Sequence, residues 1–302
     1  MAINRVEIKD FLVFKGEFAT EFCPGVNVLI GRNGTGKTTL IKAMYEQKPD
    51  RSYLPNADLM VAEMDPPYGN KNISSKKIIF DGILHSFVYI PEKDILEHAK
   101  GLLTFIEQKQ TGFGQIYKDV LISAQDIPTQ KQSAVQMTVA QKIADIIGGD
   151  VRWDKGDGSF YTIKADGNRI PFANEASGYK KLGYLGLLVS SGQLNPGTIL
   201  FWDEPENSLN PELIPVLVDI LLELSRNGVQ IFIATHSEIL ASYFAVNRQN
   251  GDDVLFTALY KDGEQIKANK SDRFDLLEPN NLTAEPVKLY EKEIVKGLSG
   301  NG

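Results

Sequence analysis

The chain has 302 residues, of which 42% are hydrophobic and 24% charged, and its formal net charge is −7. This composition is typical of a globular protein, and the acidic balance excludes a nucleic-acid binder that is basic over its whole surface. Cys23 is the only cysteine, and neither a signal peptide nor an apolar run of about 20 residues is present, so we expect a cytoplasmic protein without disulfides or membrane insertion.

The first 30 residues predict strands. Apolar residues alternate with charged ones from Ile3 to Ile8, and four phenylalanines follow at positions 11, 14, 18 and 22. We predict a small antiparallel meander that leads into a buried strand, Val26–Ile30. One of the phenylalanines could stack on an adenine ring, although packing in the core is the commoner role of any single aromatic residue.

The segment after this strand matches the P-loop pattern G-x-x-x-x-G-K-[ST] and leads into a helical pattern. Its three glycines, at positions 31, 34 and 36, let the backbone curl so that successive N–H groups face phosphate oxygens. Lys37 would bring a cation to the β- and γ-phosphates, and Thr38 would offer a hydroxyl to Mg²⁺. We predict that the nucleotide is bound by the loop residues Asn33, Gly34, Thr35, Gly36, Lys37, Thr38 and Thr39.

Residues 45–90 are predicted to be irregular at first and then to form two strands. Four prolines between positions 45 and 80 fit turns and extended pieces better than helix. Further along, Ile78–Phe80 and Phe87–Ile90 predict two strands around a turn at Asp81-Gly82.

The next part of the chain predicts a small lobe. One helical period runs from Asp94 to Ile106 and another from about Gln130 to Ile147. Three short strands, separated by glycine-containing turns, are predicted between Val151 and Phe172. We therefore predict a lobe at about 91–175, inserted into a single domain that spans residues 1–302. Because no heptad pattern is sustained, long coiled-coil arms are not expected.

The second half of the chain places acidic residues at a strand end. The apolar run Thr198–Trp202 predicts a strand buried on both faces, and Asp203 and Glu204 follow it directly. From there the Asp203 carboxylate can reach Mg²⁺, and Glu204 can act as general base or polarise the attacking water. Another apolar strand ends at His236, and ligands bind at such strand ends in open α/β sheets. We predict that His236 faces the γ-phosphate.

This order of motifs resembles the ABC-type ATPase fold. Besides the P-loop and the Asp-Glu pair, the chain has a signature-like segment, Ala176–Lys181, a D-loop-like segment, Ser208–Asn210, and a switch-like histidine, His236. The strand-rich entry to the P-loop is similar to the branch that contains the heads of SMC and RecF proteins, and within it to stand-alone bacterial ATPases of anti-phage defence.

The resemblance implies both a fold and a function. The fold would be α/β, with a mostly parallel central sheet, an antiparallel N-terminal subdomain, an inserted helical lobe, and a C-terminal β-hairpin and helix at about 252–302. In this family two heads sandwich two ATP molecules, so Ser177 and Gly178 of one chain would face the ATP on its mate. The implied protein is a Mg²⁺-dependent ATPase and homodimer that gates an effector such as a nuclease or a toxin, with binding of nucleic acid left open.

Three departures from the family pattern bear on its function, and one alternative function stays open. The signature has Ala-Ser-Gly-Tyr where Leu-Ser-Gly-Gly is usual, the Q-loop glutamine expected after Ile90 is replaced by Pro91–Asp94, and long arms are missing. The alternative is the ATP-binding subunit of a membrane transporter, which the first two departures weaken. The third departure argues against a mechanical, DNA-tethering role.

Overall fold

The computed structural model describes residues 2–46, 75–81, 86–102, 115–125 and 132–298. The strands in these ranges are β1 (Ala2–Phe11), β2 (Phe14–Glu21), β3 (Val26–Ile30), β4 (Ser75–Asp81), β5 (Ser86–Ile90), β6 (Gly149–Asp154), β7 (Ser159–Lys164), β8 (Arg169–Pro171), β9 (Thr198–Asp203), β10 (Gln230–Ala234), β11 (Val254–Asp262) and β12 (Gln265–Ser271). The longer helices are α1 (Lys37–Tyr45), α2 (Gln115–Gln125), α3 (Ala134–Ile147), α4 (Ser177–Ser190), α5 (Ile214–Arg226), α6 (Glu238–Asn247) and α7 (Asn281–Leu298).

Six strands form the central sheet, in the order β12-β11-β3-β10-β9-β5. All neighbours from β11 to β5 are parallel, and the edge pair β11–β12 is antiparallel. Every residue of β3, β9 and β10 is buried, which suits the near-continuous apolar runs of these strands. The predicted α/β class with a mostly parallel central sheet is confirmed.

A second sheet contains the N-terminal strands in the antiparallel order β2-β1-β4, and β2 contacts β12 of the central sheet. The side chain of Gln230 also joins the two sheets. Its Oε1 accepts a hydrogen bond from the Ile3 N–H at 2.7 Å, and its Nε2 donates to the carbonyl oxygens of Ile3 at 3.0 Å and Cys23 at 2.7 Å. The buried amide of Gln230 therefore pairs with backbone groups of Ile3 and Cys23 that would otherwise lack hydrogen-bond partners between the two sheets.

Helices pack on the central sheet through regularly spaced apolar residues. Helix α1 contacts β9 and β10, whereas α5 contacts β3 and β10 through a face that includes Leu217, Leu221 and Leu224. Helix α3 packs against α4, begins with a capping box between Ser133 and Gln136, and ends at a left-handed glycine. None of the helices within the described ranges combines the length and apolarity that crossing a bilayer requires.

The region predicted as a lobe contains a third sheet, β6-β7-β8, whose strands pair antiparallel. The three strands predicted between Val151 and Phe172 are thus present, with Phe172 in a short 3-10 turn. Strand β6 contacts both α3 and α4, so this sheet and the two helices share one core. The boundary of about 91–175 stays a prediction.

Several local predictions differ from the structure. The strands predicted on either side of Gly82 do not pair, because β4 joins β1 and β5 joins β9 in a different sheet. Helix α2 has no counterpart among the predicted helices. Its apolar face is short and consists of four buried residues, Ile116, Val120, Leu121 and Ala124. The turn at Gly82 and most of the irregular segment at 45–80 lie outside the described residues.

Candidate functional site

The carboxyl ends of β3, β10 and β9, which are neighbours in the central sheet, meet at one edge. A cavity of about 480 Å³ opens there. Its lining consists of Val13, Asn33, Gly34, Gly36, Lys37, Thr38, Thr39, Glu92, Glu204 and His236. The structure therefore brings together every P-loop residue predicted to bind nucleotide except Thr35, along with both predicted catalytic side chains.

The P-loop owes its curvature to glycines with positive φ. Gly31 has a φ of 152°, and a Cβ atom at this position would lie 2.3 Å from the carbonyl oxygen of Leu259 in β11. Gly36 precedes α1 in the left-handed conformation, and no side chain caps this helix, so its first-turn N–H groups stay available for an anion. Thr35 is buried, and its hydroxyl donates to the Arg32 carbonyl at 2.8 Å. Thr35 thus supports the loop from inside.

Lys37 is buried at the first position of α1, with its ammonium group directed back over the loop. Its Nζ donates to the Gly31 carbonyl at 2.9 Å and lies 2.8 Å from His236 Nε2. Burial lowers the pKa of Lys37 to about 8, against the opposing attraction of Glu204 and Asp203. A phosphate group in the cavity would supply the negative charge that favours the protonated form.

Thr38, which lines the cavity, and Asp203, at the end of β9, bring two possible metal-binding oxygen atoms together. The Thr38 hydroxyl donates to Asp203 Oδ1 at 2.9 Å, and the Tyr89 hydroxyl donates to Oδ2 at 3.4 Å. Burial raises the pKa of Asp203, which the hydrogen bond from Thr38 counteracts. Among the described residues no group of three or more His, Cys, Asp or Glu side chains could hold a metal ion. One carboxylate and one hydroxyl instead suit Mg²⁺, which takes few protein ligands and completes its shell with phosphates and water.

Glu204 has a strained backbone, with a φ of 50° in the left-handed region. Three hydrogen bonds hold this conformation. The Glu204 N–H donates to the Ala234 carbonyl at 2.8 Å, and the Glu204 carbonyl accepts from Lys181 Nζ at 2.6 Å and from the Asn207 N–H at 3.1 Å. The side chain reaches His236, with 3.2 Å between Glu204 Oε1 and His236 Nε2.

The charges around Glu204 shift its proton affinity. Burial is the main reason that the pKa of Glu204 is raised, and the neighbouring Glu206 adds to the shift. His236 has the opposite shift, since burial and the nearby Lys37 lower its pKa. A carboxylate with a raised pKa beside a neutral imidazole is a suitable environment for accepting a proton near neutral pH.

Ser177 and Gly178 do not reach this cavity. Ser177 is the first residue of α4 and is exposed. Gly178 is buried against the D-loop-like segment, where an added Cβ atom would lie 3.0 Å from the Ser208 carbonyl oxygen and 3.1 Å from Leu209 Cδ1. The N-terminus of α4, at Ser177, does not line the cavity at the P-loop of its own chain.

Three residues of the site were not anticipated from the sequence. Glu92 lines the cavity at the place where a Q-loop glutamine was sought, and it accepts a hydrogen bond from Asn207 Nδ2 at 3.0 Å. Lys181 shares a helix face with buried Leu185 and Leu188, and a lysine in that register was a usable signal of a buried cation. Glu206 is separated from Glu204 by one proline and had no distinguishing signal.

The phenylalanines considered for adenine stacking take the commoner role. Phe14, Phe18 and Phe22 are buried in the core, and Phe14 packs against Phe18 with 4.6 Å between ring centroids. The residue of this segment that lines the cavity is Val13.

Comparison with known families decides the classification. The family model described as "AAA domain, putative AbiEii toxin, Type IV TA system" matches residues 63–242, which is more than half of the chain. The chain belongs to this AAA-domain family. A further AAA-domain model matches residues 5–45 of this AAA-domain protein, a range that includes the P-loop.

Individual relatives match over parts of their length. The DNA replication and repair protein RecF of Lactobacillus gasseri is 45% identical over 58 residues, which cover 19% of this chain and 15% of RecF. The energy-coupling factor transporter ATP-binding protein EcfA2 of Mesomycoplasma hyopneumoniae is 24% identical over 208 residues, or 69% of this chain and 60% of EcfA2. The AAA-domain protein thus spans no more than about 60% of the length of these curated relatives.

A solved structure establishes the fold independently. An Smc head domain with an extended coiled coil, bound to the C-terminal domain of ScpA derived from Pyrococcus furiosus, superposes with a TM-score of 0.55 at 12% identity. The superposition covers 96% of this chain and 99% of that one. The expected resemblance to an ABC-type ATPase head of the SMC and RecF branch is confirmed, as is the P-loop ATPase fold.

Proposed function

We propose that this protein binds ATP with Mg²⁺ and hydrolyses it. The observation that supports this most directly is the convergence of Lys37, Thr38, Glu204 and His236 on one cavity at the ends of three adjacent parallel strands, with Asp203 bonded to Thr38. The glycine-lined curve of the P-loop and the uncapped N-terminus of α1 suit a triphosphate. Thr38 and Asp203 would hold Mg²⁺, which when bound neutralises charge on the phosphates.

Each side chain has a distinct part in this proposal. Lys37 would attract the β- and γ-phosphates, with the P-loop N–H groups as further donors. Glu204 would orient a water molecule and accept its proton as the water oxygen attacks the γ-phosphorus and the bond to ADP breaks. His236 would donate to the developing charge on the γ-phosphoryl oxygens, from a position fixed beside Glu204.

We further propose that two copies close around two ATP molecules. The exposed Ser177 at the start of α4 supports this, because the helix presents a phosphate-binding end that its own P-loop does not use. Closing and opening of the dimer would gate an effector, a nuclease or a toxin, in anti-phage defence or DNA repair in the cytoplasm. In this proposal residues 1–302 form one ATPase domain, with the lobe at about 91–175 coupling nucleotide state to the partner.

The EcfA2 match keeps a second candidate function, the ATP-binding subunit of a membrane transporter. Glu92 at the Q-loop place and Ala-Ser-Gly-Tyr at the signature weigh against it. The gene beside this one distinguishes the two, because a permease gene supports transport and a nuclease or toxin gene supports the effector-gating role.

The decisive experiment is Glu204→Gln, which keeps the shape of the side chain but removes its basicity. We expect hydrolysis to fall by about 100-fold or more, since general bases contribute about 10²–10⁴-fold. ATP affinity should stay within about threefold because Lys37 and the P-loop are unchanged. Steady-state phosphate release and titration with labelled ATP measure the two effects, and light scattering should detect ATP-dependent dimers.

The matched control is Glu264→Gln, which makes the same chemical change at an exposed position in the β11–β12 hairpin. It should behave as the unaltered protein in all three assays. Turnover of Glu204→Gln equal to that of the control would refute the assignment of Glu204 as the base.

A further inference from the structure

Glu206 makes contacts that none of the roles assigned above requires. Its Oε1 accepts two hydrogen bonds, from the Thr235 hydroxyl at 2.5 Å and from the His236 backbone N–H at 3.2 Å. Its other oxygen, Oε2, is buried and has no hydrogen-bond partner among the described residues. The carboxylate thus contacts the segment that carries the switch-like histidine, and it also lies beside the carboxyl group of Glu204.

The two donors occupy the point at which β10 leaves the sheet. The Thr235 N–H still donates to the Leu29 carbonyl at 3.0 Å, so Thr235 is the last residue held by the neighbouring strand β3. The N–H of His236 is the first donor beyond the ladder, and Glu206 provides its acceptor. Without that acceptor, the backbone that carries the imidazole would lose the contact that fixes it relative to β9.

The same contact continues into the next helix. The Thr235 hydroxyl, while donating to Glu206, accepts the Ser237 N–H at 2.9 Å. Ser237 in turn caps α6 by accepting the Leu240 N–H at 3.1 Å. One chain of hydrogen bonds therefore runs from the turn after β9, through the His236 segment, to the first turn of α6.

Glu206 is also rigidly connected to Glu204. The Asn207 N–H donates to the Glu204 carbonyl at 3.1 Å, and the Leu209 N–H donates to the Glu206 carbonyl at 3.0 Å. These bonds close the turn after β9, so Glu204 and Glu206 are held in one piece of backbone. Because the Glu206 side chain in that turn accepts a hydrogen bond from the His236 N–H, it fixes the distance between Glu204 and the imidazole.

We propose that Glu206 is a positioning residue, whose carboxylate holds the Thr235–His236 backbone so that the imidazole lies against both Lys37 and Glu204. His236 Nε2 lies 2.8 Å from Lys37 Nζ and 3.2 Å from Glu204 Oε1. A misplacement of about 1 Å at a reacting group can lower the rate about 100-fold. The hydrogen bonds that Glu206 accepts would therefore affect the rate of hydrolysis, although Glu206 itself does not contact the substrate. The inference rests on the proposed ATPase function.

The test compares Glu206→Ala with Glu206→Gln. Glutamine keeps an oxygen that can accept both hydrogen bonds, whereas alanine removes the acceptor. We expect Glu206→Ala to lower ATP turnover by about 10–100-fold while ATP affinity stays within about threefold. Glu206→Gln should regain most of that loss. Glu206→Met, which restores volume without an acceptor, replaces the alanine variant if the latter does not fold.

Proton NMR of the imidazole groups supplies a readout that does not depend on turnover. The chain has three histidines, at positions 85, 98 and 236, so the His236 signal is assigned from a His236→Gln variant. At fixed pH, Glu206→Ala should shift or broaden the His236 signal and leave that of His98 unchanged. Glu206→Gln should keep the His236 signal in place.

The outcomes separate the two proposals. A Glu206→Ala variant with unaltered turnover and an unshifted His236 signal would overturn the positioning role, as would equal losses in the alanine and glutamine variants. If Glu204→Gln keeps full turnover instead, the ATPase assignment of Glu204 fails whatever the Glu206 variants do.

Discussion

The first glycine of the P-loop should be far less replaceable than the second. Gly31 has a φ of 152°, and a Cβ atom there would lie 2.3 Å from the Leu259 carbonyl oxygen and 2.7 Å from Thr35 Oγ1. The backbone conformation costs about 1–3 kcal/mol for an L-residue, and overpacking against a strand adds about 1–3 kcal/mol. Gly31→Ala should therefore lower the free energy of unfolding by about 2–6 kcal/mol.

Gly34→Ala is the matched control, because Gly34 has a φ of 75° and nothing within 4 Å of an added Cβ atom. It should lose only the backbone cost of about 1–2 kcal/mol. Thermal unfolding followed by circular dichroism, without nucleotide, measures both variants, and each kcal/mol lowers Tm by about 2 °C in a protein of this size. Equal shifts in Tm would show that the P-loop does not press on β11 as described.

Two further predictions concern the dimer and the joined sheets. Ser177→Arg should abolish hydrolysis while ATP affinity stays within about threefold. Mixing this variant with Lys37→Ala should restore part of the activity, because one site of a mixed dimer carries neither change. If the mixture regains no activity, the two chains do not share their sites. Gln230→Leu should lower the free energy of unfolding by about 2–4 kcal/mol in denaturant titration, because it leaves both backbone groups of Ile3 unpaired, whereas the exposed Gln249→Leu should change it by under about 0.5 kcal/mol.

Local patterns predicted the parts of the site that are continuous in the chain. The strand, glycine loop and helix around Lys37 follow one another within about twenty residues, so their periodicity and turn chemistry are visible directly. The acidic end of β9 was equally clear, since four apolar residues directly precede Asp203. His236 Nε2 lies 2.8 Å from Lys37 Nζ, a position that follows from the parallel strands, which bring their carboxyl ends to one edge.

Features that depend on distant partners could not be predicted in the same way. Strands β4 and β5 are close in sequence but belong to different sheets, and a strand pattern does not specify its partner. Lys181 contacts the Glu204 carbonyl, 23 positions away, and Glu206 contacts the Thr235 hydroxyl and the His236 N–H, 29 and 30 positions away. No spacing rule applies to such contacts.

The strand order has a consequence for the growing chain. Strand β3 holds the P-loop near the N-terminus, yet Val26 pairs with Ile231 on one side and Val254 on the other, each more than 200 residues further along. Until β10 and β11 have been synthesised, both backbone edges of β3 lack their partners, and an unpaired apolar strand invites association with other chains. Nucleotide capture should consequently appear only after translation has passed β11, so a released N-terminal fragment with an intact P-loop sequence should be a client of chaperones rather than a nucleotide-binding unit.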